Sequence, residues 1–489
     1  MRPTRNLPAL CTGVLVVALL GRATLGSLPL NPVDTGFTLD WGHELLHGHV
    51  PDVRVNGAAT PHPLSIAFGA FAASAGGGAL DAMQDLLTIA AGAVVVALVA
   101  IGRTVRSPLI GVAAAVILVG SGQFLFTNLA LATPSDLPAL AAVLAALALE
   151  LERPRRGYAP LGLLALAGLW RPEVWLLSAA YAIYCVAADT PARPRNLAFL
   201  VALAPAIWAV SDLVLTGDPL YSLTYTRWAA AAVSRPTGVS AVPGVLWVTL
   251  SEYFSTPMLL AAGAGLAIDL RTGMLPRVIP MWLALAVAGF TATGAAALPV
   301  LGRYALPVVV ATALYCGFFV VGWWRVERGW VRRVWGLAAA SLAVLLIAGA
   351  PGRIDHLSSE RVQVDELGRF DRALGSLTSS PRVKLLIARC PPLQTSYQIV
   401  PLLAFDLGTS PQAITWVNEG IPGGGTVVEP ARSQSLFEAP SYPARSFVEH
   451  GYALVAANRY WLAFTQCSCT RERHRARAPL ARRYDGVPS

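Results

Sequence analysis

Charge is what this sequence has least of. Only 13% of its 489 residues are charged, against 55% hydrophobic, and the mean hydropathy is +0.56. A soluble chain of this length needs a charged surface, so a water-soluble globular protein is excluded and the membrane class remains. Lysine is nearly absent: of 37 basic residues only Lys384 is one. The arginines sit in short loops between apolar runs, so the net charge of +9 reads as membrane orientation and excludes a nucleic-acid partner. Cysteine is sparse, at six residues. Cys11, Cys185 and Cys316 fall inside apolar runs as small hydrophobes. Cys390, Cys467 and Cys469 lie in the polar C-terminal stretch, where an oxidising compartment allows one disulfide, from Cys390 to Cys467 or Cys469.

What is abundant is apolar sequence, and its interruptions organise the chain. Arg2 and Arg5 precede an apolar run from Leu7 to Leu20. With no small-x-small cleavage site before Asn31, it reads as an uncleaved first span, roughly 8–28, with Arg22 snorkelling outward. Residues 29–62 are polar, and PLSIAFGAFAASA after them is too short to cross a core of about 30 Å, so it reads as an interfacial helix. Ten further runs follow, at 84–102, 107–126, 134–150, 158–170, 173–188, 197–215, 243–268, 278–298, 304–324 and 333–350. Arg171-Pro172 separates two short ones. The expected fold is an α-helical polytopic membrane protein of about 11 transmembrane helices. Residues 1–350 form the membrane domain, with 29–78 an extracytoplasmic loop carrying the interfacial helix.

Orientation follows from the arginines. With the N-terminus in the cytoplasm, fifteen arginines fall on the inner side; the outer loops before residue 351 hold only Arg54, Arg171, Arg227, Arg235 and Arg303. The polar loop and residues 351–489 are then extracytoplasmic, as in a multi-pass protein of a bacterial inner membrane. In that C-terminal stretch a helix-like segment at 359–375, SYQIVPLLAFDL, AITWV, GTVV and YALVAANRYWLAF alternate helix and strand signals. They predict a small α/β domain, ending in the basic tail RERHRARAPLARRY.

The chemistry-bearing residues gather on the outer side. Asp34 follows the first span, and Asp40, Glu44 and Asp52 follow it, interleaved with Trp41, His43, His47, His49 and His62. A carboxylate held against apolar surface gains proton affinity and can serve as a general base. Asp136 in TPSDLPAL, Arg171-Pro172-Glu173, Asp218 in TGDPLYS and Arg303-Tyr304 in LGRYALP stand at the edges of apolar runs. By the topology above they share one face and can line one cavity, where arginine suits a phosphate.

These segments resemble the GT-C superfamily of membrane glycosyltransferases, which includes protein O-mannosyltransferases and actinobacterial arabinosyl- and mannosyltransferases. The resemblance rests on Asp34 after the first span, Gly48-His49-Val50-Pro51, Pro61-His62-Pro63-Leu64, Ser135-Asp136-Leu137-Pro138, Leu169-Trp170-Arg171-Pro172-Glu173 and Gly302-Arg303-Tyr304-Ala305-Leu306-Pro307, in that order over residues 1–350. Many relatives carry two adjacent acids in this loop, or Pro-Pro-Leu, where this chain has Val33-Asp34-Thr35 and His-Pro-Leu. The resemblance implies an inverting transfer of sugar from a polyprenyl-phosphate donor to an extracytoplasmic glycan, lipid or protein of the cell envelope. Asp34 would be the base, with Asp40 and Glu44 as further catalytic carboxylates. Arg303, Arg171 and Tyr304 would hold the donor phosphate, and Asp136, Glu173, Asp218 and His62 would line the cavity.

Two rivals come from other classes. His43-Glu44-Leu45-Leu46-His47 matches the H-E-x-x-H pattern that sets two imidazoles around zinc with glutamate as base, as in membrane zinc metalloproteases. It also makes a divalent metal at His43 and His47 the one cofactor suggested, with His49, Asp52, His62 or Glu173 as a third ligand. A lipid or solute transporter is the other, but it favours charges at mid-membrane depth and inverted repeats, neither of which the chain displays.

Overall fold

The computed structural model describes residues 7–25, 33–55, 57–105, 107–124, 133–188, 190–232, 234–396, 398–417, 423–431 and 444–467. The basic tail and Cys469 lie outside the described residues. The chain forms two compact units. One comprises Met1–Leu30, Thr60–Phe68 and Ala75–Val362; the other comprises Asn31–Ala59, Gly69–Ser74 and Gln363–Ser489.

The first unit is helical: α1 (Leu7–Leu25), α4 (Ala79–Thr104), α5 (Pro108–Gly120), α6 (Asp136–Glu152), α7 (Tyr158–Gly168), α8 (Val174–Ala187), α9 (Pro194–Thr216), α10 (Tyr221–Ala232), α11 (Val242–Tyr253), α12 (Thr256–Thr272), α13 (Val278–Ala295), α14 (Leu306–Gly322) and α15 (Trp330–Ala348). Among the described residues five helices are long and apolar enough to cross a membrane, or six if one bent pair is a single span. Shorter apolar helices accompany them, including the core of α1, α5, α7 and α8. The break between α7 and α8 falls where Arg171-Pro172 predicts it.

The run at 243–268 is not one straight helix. It breaks after Tyr253 and turns by 110° into α12. Phe254 and Ser255 are extended, and Pro257 sits in the first turn of α12. Proline cannot continue an incoming helix, because it lacks an N–H and its ring clashes with the carbonyl four residues back; at a first turn neither matters. Arg22 pairs with Asp81 at 2.7 Å and Asp85 at 3.0 Å at the start of α4.

The most enclosed span, α14, is buried between α5, α12, α13 and α15. Small residues permit it. A Cβ on Gly317 would stand 2.8 Å from the backbone of α5, and one on Gly265 would stand 2.5 Å from the Tyr315 carbonyl. Without a hydrophobic drive between helices in lipid, such close backbone approach supplies the packing.

The second unit joins α2 (Asp34–Leu46) to a C-terminal α/β fold. Its sheet runs β2 (Ile414–Trp416), β1 (Leu393–Thr395), β3 (Gly425–Pro430), β5 (Trp461–Gln466), β4 (Ala453–Ala457) in that order. β1 is parallel to both neighbours, and β5 is antiparallel to β3 and β4. The expected α/β domain is present. α16 (Ala350–Thr378) leads into it, α17 (Pro381–Arg389) precedes β1, α18 (Val400–Leu407) links β1 to β2, and α19 (Ala444–Glu449) precedes β4. Trp461 anchors α16, its indole donating to the Phe370 carbonyl at 2.8 Å with the two rings 4.3 Å apart. Cys390 is disulfide-bonded to Cys467, which decides the pairing that spacing leaves open.

The polar loop contains a helix that polarity conceals. α2 buries Phe37, Leu39 and Trp41, and packs on α18, where a Cβ on Gly36 would lie 2.8 Å from Pro401. The short apolar helix α3 (Pro63–Ala73) crosses it at Gly42 and Gly69. A Cβ on Gly69 would stand 1.9 Å from the Thr38 carbonyl, so Gly69→Ala forces the backbones apart. We expect that variant to lose about 3 kcal/mol of stability, read as a lowered unfolding temperature and yield.

Candidate active site

The three acids of α2 fall into three environments. Asp34 opens the helix, half-buried, where the helix dipole favours a carboxylate, and its carbonyl accepts the Thr38 hydroxyl at 2.6 Å. Asp40 is buried, and burial, then repulsion from Glu44 and Asp406, pushes its carboxyl well above the usual range. Glu44 accepts the Asp52 amide at 2.9 Å, and burial raises it as well. The loop after α2 is tied back by the Trp41 indole, which donates to the Asp52 carbonyl at 3.0 Å.

His43 and His47 stand one turn apart with ring centroids 4.2 Å from each other. Both are exposed, and His47 Nδ1 is hydrogen-bonded to the His43 carbonyl at 2.8 Å. Partial burial and the neighbouring imidazoles lower the His43 pKa. With Glu44 engaged by Asp52, the pair does not make a zincin site, and among the described residues no group of three or more His, Cys, Asp or Glu is placed to hold a metal.

In the membrane unit, the turns at the ends of α7 and α14 bring the other residues together. Arg171 follows the last turn of α7, and Arg303 and Tyr304 lie in the short 3-10 turn before α14. Arg171 is ion-paired with Asp136 at the start of α6 and lies 3.7 Å from Glu173. Its guanidinium covers the Tyr304 ring at 4.5 Å, and that of Arg303 approaches the same ring at 5.6 Å. Asp136, Arg171, Glu173, Arg303 and Tyr304 all border one small void of about 30 Å³. Beside it opens a cavity of about 740 Å³, lined by His62, Arg171, Glu173, Trp208, Asp212 and Tyr304 among mostly apolar neighbours.

Asp218 is exposed and caps the turn into α10 by accepting the Leu220 amide at 2.9 Å. In its place Asp212 joins Glu173 in lining the cavity, its oxygens accepting the Ser222 amide and hydroxyl at 2.8 and 2.7 Å. Sequence reasoning missed it, because an acid inside an apolar run carries no edge signal; its depth one turn from the end of α9 was the available clue.

Missed also are the buried acids of the C-terminal fold. Burial, then repulsion from Asp406, pushes Asp371 up to about 8, and burial pushes Asp406 up to about 6. Glu429 on β3 is 1% exposed, and burial lifts it to about 8 against the Ser396 amide, which pulls the other way. A carboxyl raised in the folded state holds its proton more tightly there, so its contribution to stability is complete below the unfolded value of 4.5 and is lost as pH climbs through about 8. Stability is therefore expected to fall between pH 5 and 8, by up to about 1.4 kcal/mol per pH unit for each such group, read as a falling unfolding temperature. Glu429→Gln should flatten that slope and raise stability at the alkaline end.

No protein-family model matches the sequence, and no curated protein is significantly similar to it. Among solved structures, the chain is similar to ArnT from Cupriavidus metallidurans bound to undecaprenyl phosphate, at 12% identity and a TM-score of 0.55, over 96% of this chain and 99% of that one. The apo state of that ArnT aligns at 14% identity and a TM-score of 0.45, over 95% and 98%. ArnT is a GT-C glycosyltransferase. The chain has the fold of that ArnT structure.

Proposed function

We propose that the protein is an inverting glycosyltransferase that moves a sugar from a polyprenyl-phosphate donor to an extracytoplasmic glycan, lipid or protein. The observation that carries this reading is Arg171 stacked on Tyr304 at the polar end of a large, mostly apolar cavity, with Arg303 reaching the same ring from the small void beside it. A lipid phosphate asks for that combination: charge-assisted donors for the head and apolar walls for the chain. The undecaprenyl phosphate held by the ArnT structure fits the same chemistry.

Asp136 and Glu173 hold Arg171 in place while leaving other guanidinium donors for phosphate. Arg303 supplies the second cation and Tyr304 a hydroxyl beside it. In the reaction the acceptor O–H attacks the anomeric carbon, the bond from that carbon to the phosphate oxygen breaks, and polyprenyl phosphate departs. Asp34 takes the proton. Of the α2 acids it is the one at the helix start, whereas Asp40 is enclosed and Glu44 stands in the last turn, accepting the Asp52 amide. His62 and Asp212 would face the sugar from the cavity wall. In this reading about eleven helices span the membrane, the N-terminus is cytoplasmic, and the C-terminal domain lies outside, where the Cys390–Cys467 disulfide is stable.

Purified protein in lipid nanodiscs, given a labelled polyprenyl-phosphate sugar and envelope acceptor, should release polyprenyl phosphate and label the acceptor. Donor left intact under those conditions contradicts the proposal.

A further inference from the structure

At another turn of the membrane unit the sequence GWWRVERGWVRR joins two candidate spans, Gly302–Arg325 and Trp330–Ala348. Arginines and tryptophans at span ends ordinarily act singly, the cation snorkelling and the indole marking the interface. Here they converge. Arg328, Arg332 and Arg333 line one cavity of about 660 Å³ floored by Trp323. The Arg332 guanidinium sits 5.7 Å from the Trp323 ring and 5.5 Å from that of Trp324, and the two indoles are 4.3 Å apart. Gly336 lets Trp323 seat against α15, since a Cβ there would meet the indole at 3.2 Å. Among the described residues none of these three arginines has an ion-pair partner within reach. Beyond the cavity α15 presents exposed Val334, Leu337, Val344 and Leu345.

We propose that this cavity binds the phosphate headgroup of an anionic phospholipid, with its acyl chains along the exposed apolar face of α15. Three unneutralised guanidiniums select an anion, and arginine suits a phosphate in particular. The aromatic floor fixes one guanidinium by cation–π contact, so less side-chain freedom is lost on binding. The apolar face distinguishes a lipid from a free phosphate, and basic pockets between spanning helices are fit for such headgroups. The proposal is independent of the transferase reading: it uses a different cavity and its test has no catalytic readout.

The test is native mass spectrometry of full-length protein released from nanodiscs of equal phosphatidylcholine and phosphatidylglycerol. Wild type is expected to retain phosphatidylglycerol selectively. Arg332→Gln should reduce that retention about tenfold, the worth of one charge-assisted hydrogen bond. Arg328→Gln, at an exposed loop position that folding does not need, should reduce it comparably. Equal retention of both lipids, unchanged retention in the Arg328 variant, or displacement of the lipid by inorganic phosphate alone would each overturn the proposal.

Discussion

Asp34→Asn is expected to lower sugar transfer by about 10²–10⁴-fold, the range that loss of a general base removes, with the fold intact. Asparagine matches the carboxylate in shape and remains a tolerable residue at a helix start, so α2 should form as before. The unfolding temperature checks that directly. The readout is transfer of labelled sugar from a polyprenyl-phosphate donor in nanodiscs, with donor binding measured in parallel. Binding should stay within a few-fold of wild type, because the base acts on the acceptor. Retained transfer would move the role to Asp40 or Glu44. Their surroundings argue against that: Asp40 has burial and two like charges holding its proton, and Glu44 is already an acceptor for the Asp52 amide.

Arg303→Gln should act on the donor instead. Removing one cation from a desolvated phosphate contact costs about 2–5 kcal/mol, which corresponds to a fall of about 30- to 5,000-fold in kcat/KM for the donor. Arg171→Gln is expected to behave differently, although both arginines meet the Tyr304 ring. Arg171 also neutralises Asp136, which is 4% exposed. Stranding that acid should destabilise the protein by about 3–5 kcal/mol in addition to the loss of activity. Combining Arg171→Gln with Asp136→Asn should restore the unfolding temperature without restoring transfer. A double variant that recovers both would show Arg171 to be structural alone.

Much of the helical architecture was legible in apolar run lengths. The first helix, the break at Arg171-Pro172 and the short helix after Pro63 all stand where composition and proline predict them. The alternation in the C-terminal stretch likewise announced an α/β fold. What stayed hidden depends on contacts between distant segments. α2 reads as a polar loop because its apolar residues, Phe37, Leu39 and Trp41, follow no clean helical period; packing on α18 and α3 makes the helix. The bend at Phe254–Ser255 lies between two apolar stretches, so hydropathy runs through it and only Pro257 hints at it. The ion pair from Asp136 to Arg171 joins residues far apart in sequence, and no local pattern encodes it. Asp212 and Glu429 were invisible for a related reason: each is a lone acid in apolar surroundings, and burial, which gives it meaning, is a property of the fold.

The most direct measurement is a structure of the Asp34→Asn variant trapped with an intact polyprenyl-phosphate sugar. The account requires the donor phosphate to be bracketed by the guanidiniums of Arg171 and Arg303 over Tyr304, the prenyl chain to follow the apolar cavity wall, and the side chain at position 34 to face the anomeric carbon. Density for the phosphate away from both arginines, or residue 34 beyond reach of the sugar, would contradict it.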